Sequence, residues 1–116
     1  MNKYRNKRTQ VDGIWFDSKA EAKRYAELRL LEKAGEIWAL LLQPEFPLHV
    51  MARSENTKQV TFPIIGKYVA DFEYMEGGTK VVEDVKSPAT AKNALFRWKR
   101  KHFEAEYGIK LTLIGV

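Results

Sequence analysis

The sequence predicts an α/β fold in which a mixed β-sheet is flanked by two helices. Two observations lead to this prediction. One helical segment precedes a group of β-type segments joined by short turns, and a second helical segment follows it, with a last β-type segment after that helix. Short turns make neighbouring strands antiparallel, whereas a strand that follows a helix usually runs parallel to its neighbour through a right-handed crossover. The sheet is therefore expected to be mixed, with one helix on each face.

The composition is that of one globular domain. The chain has 116 residues, of which 45% are apolar, and it contains no cysteine, so disulfides and thiolate metal sites are excluded. The longest apolar run, residues 37–42, is far shorter than the ~20 residues of a membrane-spanning helix. We expect a cytoplasmic protein without a membrane partner, with a single domain over residues 11–116 and a basic N-terminal arm over residues 1–10.

The first elements are one helix and two strands. The helix is predicted over residues 18–34, because Ser18 and Glu21 have the spacing of a capping box and a glycine follows the segment. Residues 36–42 predict a strand that is apolar on both faces, and a second strand is expected near residues 46–52.

A loop and a hairpin are expected next. Residues 53–66 are polar and contain a proline and a glycine, which predicts a mobile loop or irregular excursion. Residues 67–75 and 79–86 predict a β-hairpin around the turn Gly77-Gly78.

The last elements are a helix and a strand. The helix is predicted over residues 90–107 and the strand over residues 109–114, with a glycine between them. The helix offers two apolar rows to a core, Leu95/Trp98 and Phe96/Phe103/Tyr107. We expect the tryptophans and phenylalanines of the chain to lie in the core.

The hairpin brings two carboxylates together. With Gly77-Gly78 as the turn, Asp71 faces Asp84 across the ladder, and strand alternation places Lys86 on the same face as Asp84. Opposed carboxylates repel unless a cation lies between them. Oxygen ligands without His or Cys favour Mg²⁺, or Mn²⁺ in its place, over zinc. The alternative for Lys86 is a strand-end charge that extends to water.

Glu21 is a third candidate for this site. It shares a helical row with Tyr25 and Leu28, and this row is expected to face the sheet. A carboxylate on a buried face needs a partner, and the metal site would supply one. The alternative is that Glu21 only completes the capping box with Ser18. The histidines His49 and His102 fall at unrelated positions and predict no metal pair.

Positive charge is concentrated in two stretches that contain no acid. Residues 1–10 and 92–102 together hold nine of the twenty cations, and the rest of the chain is acidic overall. Such segregation favours binding to a polyanion such as DNA, with carboxylates close by for a metal; the alternative is a solvated tail and a solvated helix face. The candidate DNA-binding residues are Lys3, Arg5, Lys7, Arg8, Lys92, Arg97, Lys99, Arg100 and Lys101.

These motifs resemble those of a known superfamily. Asp71, a twelve-residue gap, then Asp84-Val85-Lys86, with Glu21 on an earlier helix, is similar to the pattern of PD-(D/E)XK nucleases. The opening Asn-Lys-Tyr-Arg-Asn-Lys-Arg-Thr, the helix start from Phe16 to Ala22, Leu42-Gln43-Pro44 and the two strand motifs around Asp71 and Asp84 resemble a family of small, phage-associated proteins of unknown function within that superfamily. This resemblance covers nearly the whole chain and implies a restriction-endonuclease-like core.

The resemblance also implies roles for single residues. Asp71 and Asp84 would bind the metal, Glu21 would complete the site directly or through water, and Lys86 would orient or activate the attacking water. A bound metal and a nearby ammonium would both favour the charged transition state of phosphodiester hydrolysis. Gln43, at the end of the first strand, is a candidate for supporting the site or contacting DNA; a strand-end polar side chain is the equal alternative.

The function expected from this combination is a metal-dependent DNA endonuclease. Small enzymes with a helix glutamate are similar to Holliday junction resolvases, which act as homodimers, so we expect cleavage of Holliday junctions or other branched DNA in phage recombination or repair, in the host cell cytoplasm. The alternatives are a nuclease for DNA ends or transposon ends, and a non-catalytic DNA-binding accessory protein.

Overall fold

A computed structural model describes residues 7–115 of the chain. The three helices are α1 (Lys19–Lys33), α2 (Pro88–Ala91) and α3 (Ala94–Tyr107). The ten strands are β1 (Thr9–Val11), β2 (Ile14–Phe16), β3 (Trp38–Leu42), β4 (Glu45–His49), β5 (Ala52–Arg53), β6 (Val60–Thr61), β7 (Ile64–Val69), β8 (Phe72–Glu76), β9 (Thr79–Val85) and β10 (Thr112–Ile114). The α/β class is confirmed. Among the described residues, no helix is long and apolar enough to cross a membrane.

The central sheet is mixed and has the strand order β10-β9-β8-β3. The last strand, β10, runs parallel to β9 after helix α3, as the crossover argument predicts. The hairpin register is also confirmed, because Glu76 pairs with Thr79 and Phe72 with Glu83. Both turn residues, Gly77 and Gly78, have positive φ angles of 57° and 82°, which a type I′ turn requires.

A second pair of strands continues this sheet beyond a bend. The pairing of β4 with β7 has the same antiparallel register as the pairing of β3 with β8: Leu42 is opposite Phe72, and Glu45 is opposite Val69. The bend falls at Gln43-Pro44 in one strand and at Ala70-Asp71 in the other. Main-chain hydrogen bonds bridge it, from Gln43 N to Asp71 O (2.9 Å) and from Ala70 N to Pro44 O (3.1 Å). The strand predicted over residues 67–75 is therefore two strands, β7 and β8, which meet next to Asp71.

The long helices lie on opposite faces of the sheet, as expected. Ser18 caps α1 by accepting a hydrogen bond from Glu21 N (3.1 Å), and Tyr25 and Leu28 of α1 are buried in one core cluster. Phe103 of α3 is buried in a second cluster with Val82 of β9. Because Glu83, the next residue of β9, bonds to α1, alternate residues of this strand face the two helices.

The helix predicted over residues 90–107 is two helices, α2 and α3. Asn93 has an extended conformation between them and caps α3 by accepting from Phe96 N (3.1 Å).

Two further segments differ from their prediction. Residues 53–66 contain a β5–β6 hairpin and the start of β7 instead of an irregular loop. The β-branched and aromatic residues of the stretch favour strands, and Pro63 lies between two of them, where no ladder hydrogen bond is required. At the other end of the chain, β1 and β2 form a hairpin that includes the last two residues of the predicted arm.

The expectation that all tryptophans are core residues is wrong. Trp15, Trp38 and Trp98 are 56%, 49% and 75% exposed, and Phe62 is exposed as well. Trp38 lies on β3, which is the edge strand of the central sheet, and Trp98 lies on the side of α3 that faces away from the sheet. The sheet covers only one side of this helix, so only the row of Phe96, Phe103 and Tyr107 packs in the core.

Candidate functional site

Asp71 lies where three stretches of main chain meet. Its carbonyl accepts from Gln43 at the bend, and its N–H points to β9, 3.1 Å from Glu83 O. The same N–H lies 3.0 Å from Asp84 Oδ1, so the main chain of one aspartate contacts the side chain of the other. In return, Asp71 Oδ2 accepts from Val85 N at 2.7 Å. The predicted juxtaposition of Asp71 and Asp84 is thus present.

Asp84 is the more deeply buried of the two carboxylates. Only 1% of the residue is exposed, and its second oxygen, Oδ2, accepts a short hydrogen bond from the hydroxyl of Tyr68 on β7. Sequence reasoning missed Tyr68, because its proximity to Asp84 depends on the bend between β7 and β8. Tyr68 fixes Asp84 from one side while Asp71 N–H fixes it from the other.

The two aspartates resist ionisation in this environment. Burial raises the pKa of Asp84, and the charge of Asp71 raises it further, whereas the Tyr68 hydrogen bond and Lys86 act in the opposite direction. Burial also raises the pKa of Asp71, against the Val85 N–H bond and the charge of Lys86. Two neighbouring carboxylates with raised pKa values repel each other when both are ionised. A bound divalent cation would offset this repulsion.

Glu21 belongs to the same electrostatic cluster. Burial raises its pKa to about 7, the charges of Asp71 and Asp17 add to the shift, and Lys86 opposes it. The main-chain N–H of Glu21 donates to the Ser18 cap, while its half-buried carboxylate responds to the aspartate pair.

Lys86 lies at the end of β9, beside the aspartates. Its N–H donates to Ile114 O (2.9 Å), and its Nζ is 5.1 Å from the ring centre of Phe96 in α3. The ammonium thus lies on the α3 face of the sheet, and its charge affects Glu21, Asp71 and Asp84 alike. This cation–π contact with Phe96 connects Lys86 to the first turn of α3.

Gln43 contributes to the site through its main chain. It has a positive φ angle of 51°, which is unusual for a residue with a side chain, and its N–H supports the Asp71 carbonyl. Its side chain is exposed. The sequence placed Gln43 near the site but did not indicate the bend.

The candidate DNA-binding residues differ in their surroundings. Lys3 and Arg5 lie outside the described residues. Arg8 stacks over Trp15, 5.2 Å from the ring centre, and Arg100 is paired with Glu104 at 3.3 Å, which reduces its availability to an external anion. Arg8 is exposed, and so are four further candidates: Lys7, Lys92, Arg97 and Lys101. Lys99 is half-buried.

A buried ion pair braces α1 against the sheet beside the site. Glu83, the residue before Asp84, accepts from Arg24 Nε (2.8 Å) and Nη2 (2.6 Å) and from the hydroxyl of Tyr74. Hydrogen bonding to Glu83 raises the pKa of Arg24. A structural role for Glu83 agrees with its place on the opposite face from Asp84. Sequence reasoning did not identify Arg24 as the partner of Glu83, because a charged residue on a helix usually faces water.

The two histidines come together although their sequence positions are unrelated. His49 N and His49 Nδ1 both lie 2.7 Å from Glu106 oxygens, and His102 Nε2 is 2.8 Å from His49 O. These contacts fasten α3 to the end of β4, on the outer part of the bent strand pair.

The donor set of the site suits a hard divalent cation only in part. Asp71 and Asp84 offer neighbouring oxygens, and an oxygen that accepts one hydrogen bond retains a second lone pair. Within residues 7–115, however, no three side chains of His, Asp or Glu are grouped closely enough to chelate one ion. Asp71 and Asp84 could therefore hold Mg²⁺ or Mn²⁺ directly, with Glu21 acting through water.

Comparison with known proteins identifies one family of unknown function. Neither the curated proteins nor the solved structures gave a match. One family model matches residues 1–115, which is nearly the whole chain. The chain therefore belongs to the family described as "Protein of unknown function (DUF1064)".

Proposed function

We propose that this protein is a metal-dependent DNA endonuclease with a PD-(D/E)XK core, and that it cleaves branched DNA. The observation that favours this function most is the contact between Asp71 and Asp84, which lie beside Lys86 at the bend of the sheet. Burying two carboxylates that repel each other costs free energy of folding. A cation bound between them would offset this cost, which is why the arrangement favours a metal site. The order of helix, antiparallel strands, helix and parallel strand is also the order that the superfamily resemblance implies.

Each residue of the site has a distinct part in this proposal. Asp71 and Asp84 would hold Mg²⁺ or Mn²⁺, which would supply Lewis-acid stabilisation of a phosphodiester under attack. Tyr68 and Val85 N–H fix the orientation of the two carboxylates. Burial raises the pKa of Glu21 to about 7 in the metal-free protein, and a bound cation would favour its ionised form, which would accept a proton from water. The Lys86 ammonium can neutralise charge on the phosphate oxygens.

The proposed substrate is DNA because cations flank this acidic centre. Phe96, whose ring contacts Lys86, lies within the acid-free stretch 92–102, so the exposed cations of α3 begin one residue from a side chain that touches the site. Such a surface binds phosphates regardless of sequence. In a domain of this size we therefore expect recognition of DNA shape rather than base readout.

The direct test is cleavage of a panel of four-way, flap, duplex and single-stranded DNA with Mg²⁺. We expect cleavage of the branched substrates and its abolition by Asp84→Asn, with DNA binding intact or tighter, because the substitution removes a negative charge. Glu76→Gln, an exposed carboxylate at the hairpin turn, is the matched control and should leave cleavage unchanged. Near-normal cleavage by Asp84→Asn would exclude the assigned role.

A non-catalytic DNA-binding protein is the second candidate. The observation in its favour is that the described residues hold no group of three metal-binding side chains. In this case the wild-type protein and Asp84→Asn would bind DNA alike, and neither would cleave any member of the panel with Mg²⁺ or Mn²⁺.

A nuclease for DNA ends would instead cut linear duplexes in preference to the branched substrates.

We also propose that the protein acts as a homodimer joined along β3. This strand is the edge of the central sheet, so one row of its N–H and C=O groups faces outward. Its sequence, Trp-Ala-Leu-Leu-Leu, has no charge, and Trp38, Leu41 and Leu42 are exposed. Antiparallel pairing of two β3 strands about a two-fold axis would cover these side chains and give two sites for symmetric cutting.

Sedimentation analysis tests the dimer. Leu41→Lys should convert a dimer to a monomer, because it places a charge at the centre of the proposed contact. Leu30→Lys is the control, since Leu30 is a leucine on α1 that is even more exposed than Leu41. A wild-type protein that sediments as a monomer at high concentration would contradict the proposal.

A further inference from the structure

Helix α3 presents an aromatic side chain to solvent between two cations. Ala94, Arg97, Trp98 and Lys101 follow one face of the helix and line a shallow groove of about 220 Å³. All four are exposed, and Trp98 is the most exposed tryptophan of the chain at 75%. Residues 85–103 contain no acid, and the ion pairs among the described residues include neither Arg97 nor Lys101.

This surface differs from those around the other two tryptophans. Trp15 is exposed but has the guanidinium of Arg8 over its ring at 5.2 Å. Trp38 lies among leucines on the uncharged edge strand β3. Only Trp98, of the three, combines an open ring face with uncommitted cations on its own helical face. Single exposed apolar residues are common, so it is this combination that requires an explanation.

The groove shares helix α3 with Phe96, the residue that contacts Lys86, but lies on the face of the helix that is turned away from the sheet. Phe96, whose ring contacts Lys86, is adjacent in sequence to Arg97 and stands in the first turn of α3 with Ala94. A strand of nucleic acid whose phosphate reached Lys86 would pass the first turn of α3, and a neighbouring segment of that strand could continue across the outer face of the helix, where Trp98 lies. The backbone of this segment would meet Arg97 and Lys101, and one of its bases would meet the indole.

We propose that Trp98, flanked by Arg97 and Lys101, is a stacking site for an unpaired nucleobase. Base–aromatic stacking tolerates any base but requires an open base face, which an intact duplex does not offer away from its ends. The cations bind the adjoining phosphates by charge. This inference rests on the proposed function and makes it more specific: the favoured substrate contains unpaired bases as well as the scissile phosphodiester, as flaps, open junctions and single strands do.

Binding is measured with the full-length protein in EDTA, so that cleavage plays no part. The probes are a labelled 20-nucleotide oligothymidine and a blunt 20-base-pair duplex of mixed sequence. Trp98→Ala should weaken oligothymidine binding about 5- to 150-fold, the range that removal of one stacked base supports. Duplex binding should change less than twofold. Trp98→Phe, which keeps an aromatic ring, should recover part of the loss.

Trp15→Ala is the matched control, because it removes an exposed indole elsewhere on the surface. It should leave the ratio of single-strand to duplex affinity unchanged. Thermal unfolding of Trp98→Ala should match that of the wild-type protein, since the side chain is 75% exposed. Equal weakening on both probes, or no weakening on either, would overturn the stacking site.

The remaining outcomes separate this inference from the proposed function and from dimer formation. Cleavage of the DNA panel together with unaltered oligothymidine binding by Trp98→Ala would overturn the stacking site alone. Trp98-dependent binding of oligothymidine by a protein that cleaves nothing would support the stacking site and overturn the nuclease proposal. Conversion of a dimer to a monomer by Trp98→Ala would show that a second copy of the chain covers this face, and would overturn the stacking site.

Discussion

The hydroxyl of Tyr68 donates a hydrogen bond to the buried carboxylate of Asp84, from a strand that lies beyond the bend of the sheet. This bond lowers the pKa of Asp84 against the effect of burial and of Asp71. It also fixes one oxygen of a proposed metal ligand. Supporting contacts of this kind typically change metal affinity by about 10- to 100-fold. The bent strand pair is thus part of the site.

Tyr68→Phe should weaken metal binding at the site without removing a ligand. Without the hydroxyl donor the pKa of Asp84 rises further, so protons compete better with the metal. We expect the Mg²⁺ concentration at half-maximal cleavage to rise about 10-fold or more, and to recover in part at higher pH. Tyr107→Phe is the control, because its hydroxyl donates to Pro47 O (2.6 Å), outside the carboxylate cluster. Identical Mg²⁺ curves for Tyr68→Phe and the wild-type protein would contradict this role.

The Arg24–Glu83 pair should be essential for stability. Arg24→Met would leave the carboxylate of Glu83, which is 1% exposed, without its cation. Breaking a buried pair in this way costs about 3–5 kcal/mol of unfolding free energy. Denaturant unfolding measures the loss. Arg29→Met is the control, since Arg29 pairs with Glu32 nearer the surface and should cost less than about 1 kcal/mol. A similar small cost for both variants would show that Glu83 finds another partner.

The sequence predicted those parts of the site that depend on local geometry. The turn Gly77-Gly78 alone determines that Asp71 lies beside Asp84, and the Ser18 cap places Glu21 in the first turn of α1. The bend at Ala70-Asp71 was not predictable, because the sequence alternation of β7 continues into β8, and only the structure shows that Ala70 and Phe72 pack in different core clusters. Tyr68 and its contact with Asp84 follow from that bend.

The exposed aromatic residues were misjudged for a related reason. Hydropathy shows that Leu95 and Trp98 form a helical row, but which row packs depends on the element that lies against the helix. The sheet and the bent strand pair cover only the row of Phe96, Phe103 and Tyr107. Likewise, an apolar strand such as β3 resembles a central strand until the strand order shows that it is an edge.

The raised pKa of Glu21 predicts a pH-dependent stability of the metal-free protein. Its folded pKa of about 7 lies above its usual value of 4.5, so the neutral form is favoured on folding. The associated stability is fully present below pH 4.5 and is lost as the pH rises through 7. Glu21→Gln lacks this titration. In EDTA, the unfolding free energy of the wild-type protein minus that of Glu21→Gln should fall between these pH values. A difference that does not vary with pH would show that the Glu21 carboxylate is hydrated in the folded protein.

The last prediction concerns the N-terminal cations as part of the DNA-binding surface. Deleting residues 1–8 removes Lys3, Arg5, Lys7 and Arg8 and touches none of Glu21, Asp71, Asp84 and Lys86. The slope of log binding constant against log salt concentration should therefore shrink, by up to ~0.9 for each duplex phosphate that the protein no longer binds.

Cleavage at saturating DNA should survive this deletion, because the carboxylate site remains whole. Removal of Arg8 also uncovers the ring of Trp15, so the variant Arg8→Ala in the full chain serves as the control for that local change. Arg8→Ala should reduce the slope of log binding constant against log salt concentration by no more than ~0.9, the value for one duplex phosphate. If the deletion leaves both the salt slope and the affinity unchanged, the N-terminal cations are a solvated tail, and the exposed cations of α3 bind the DNA without them.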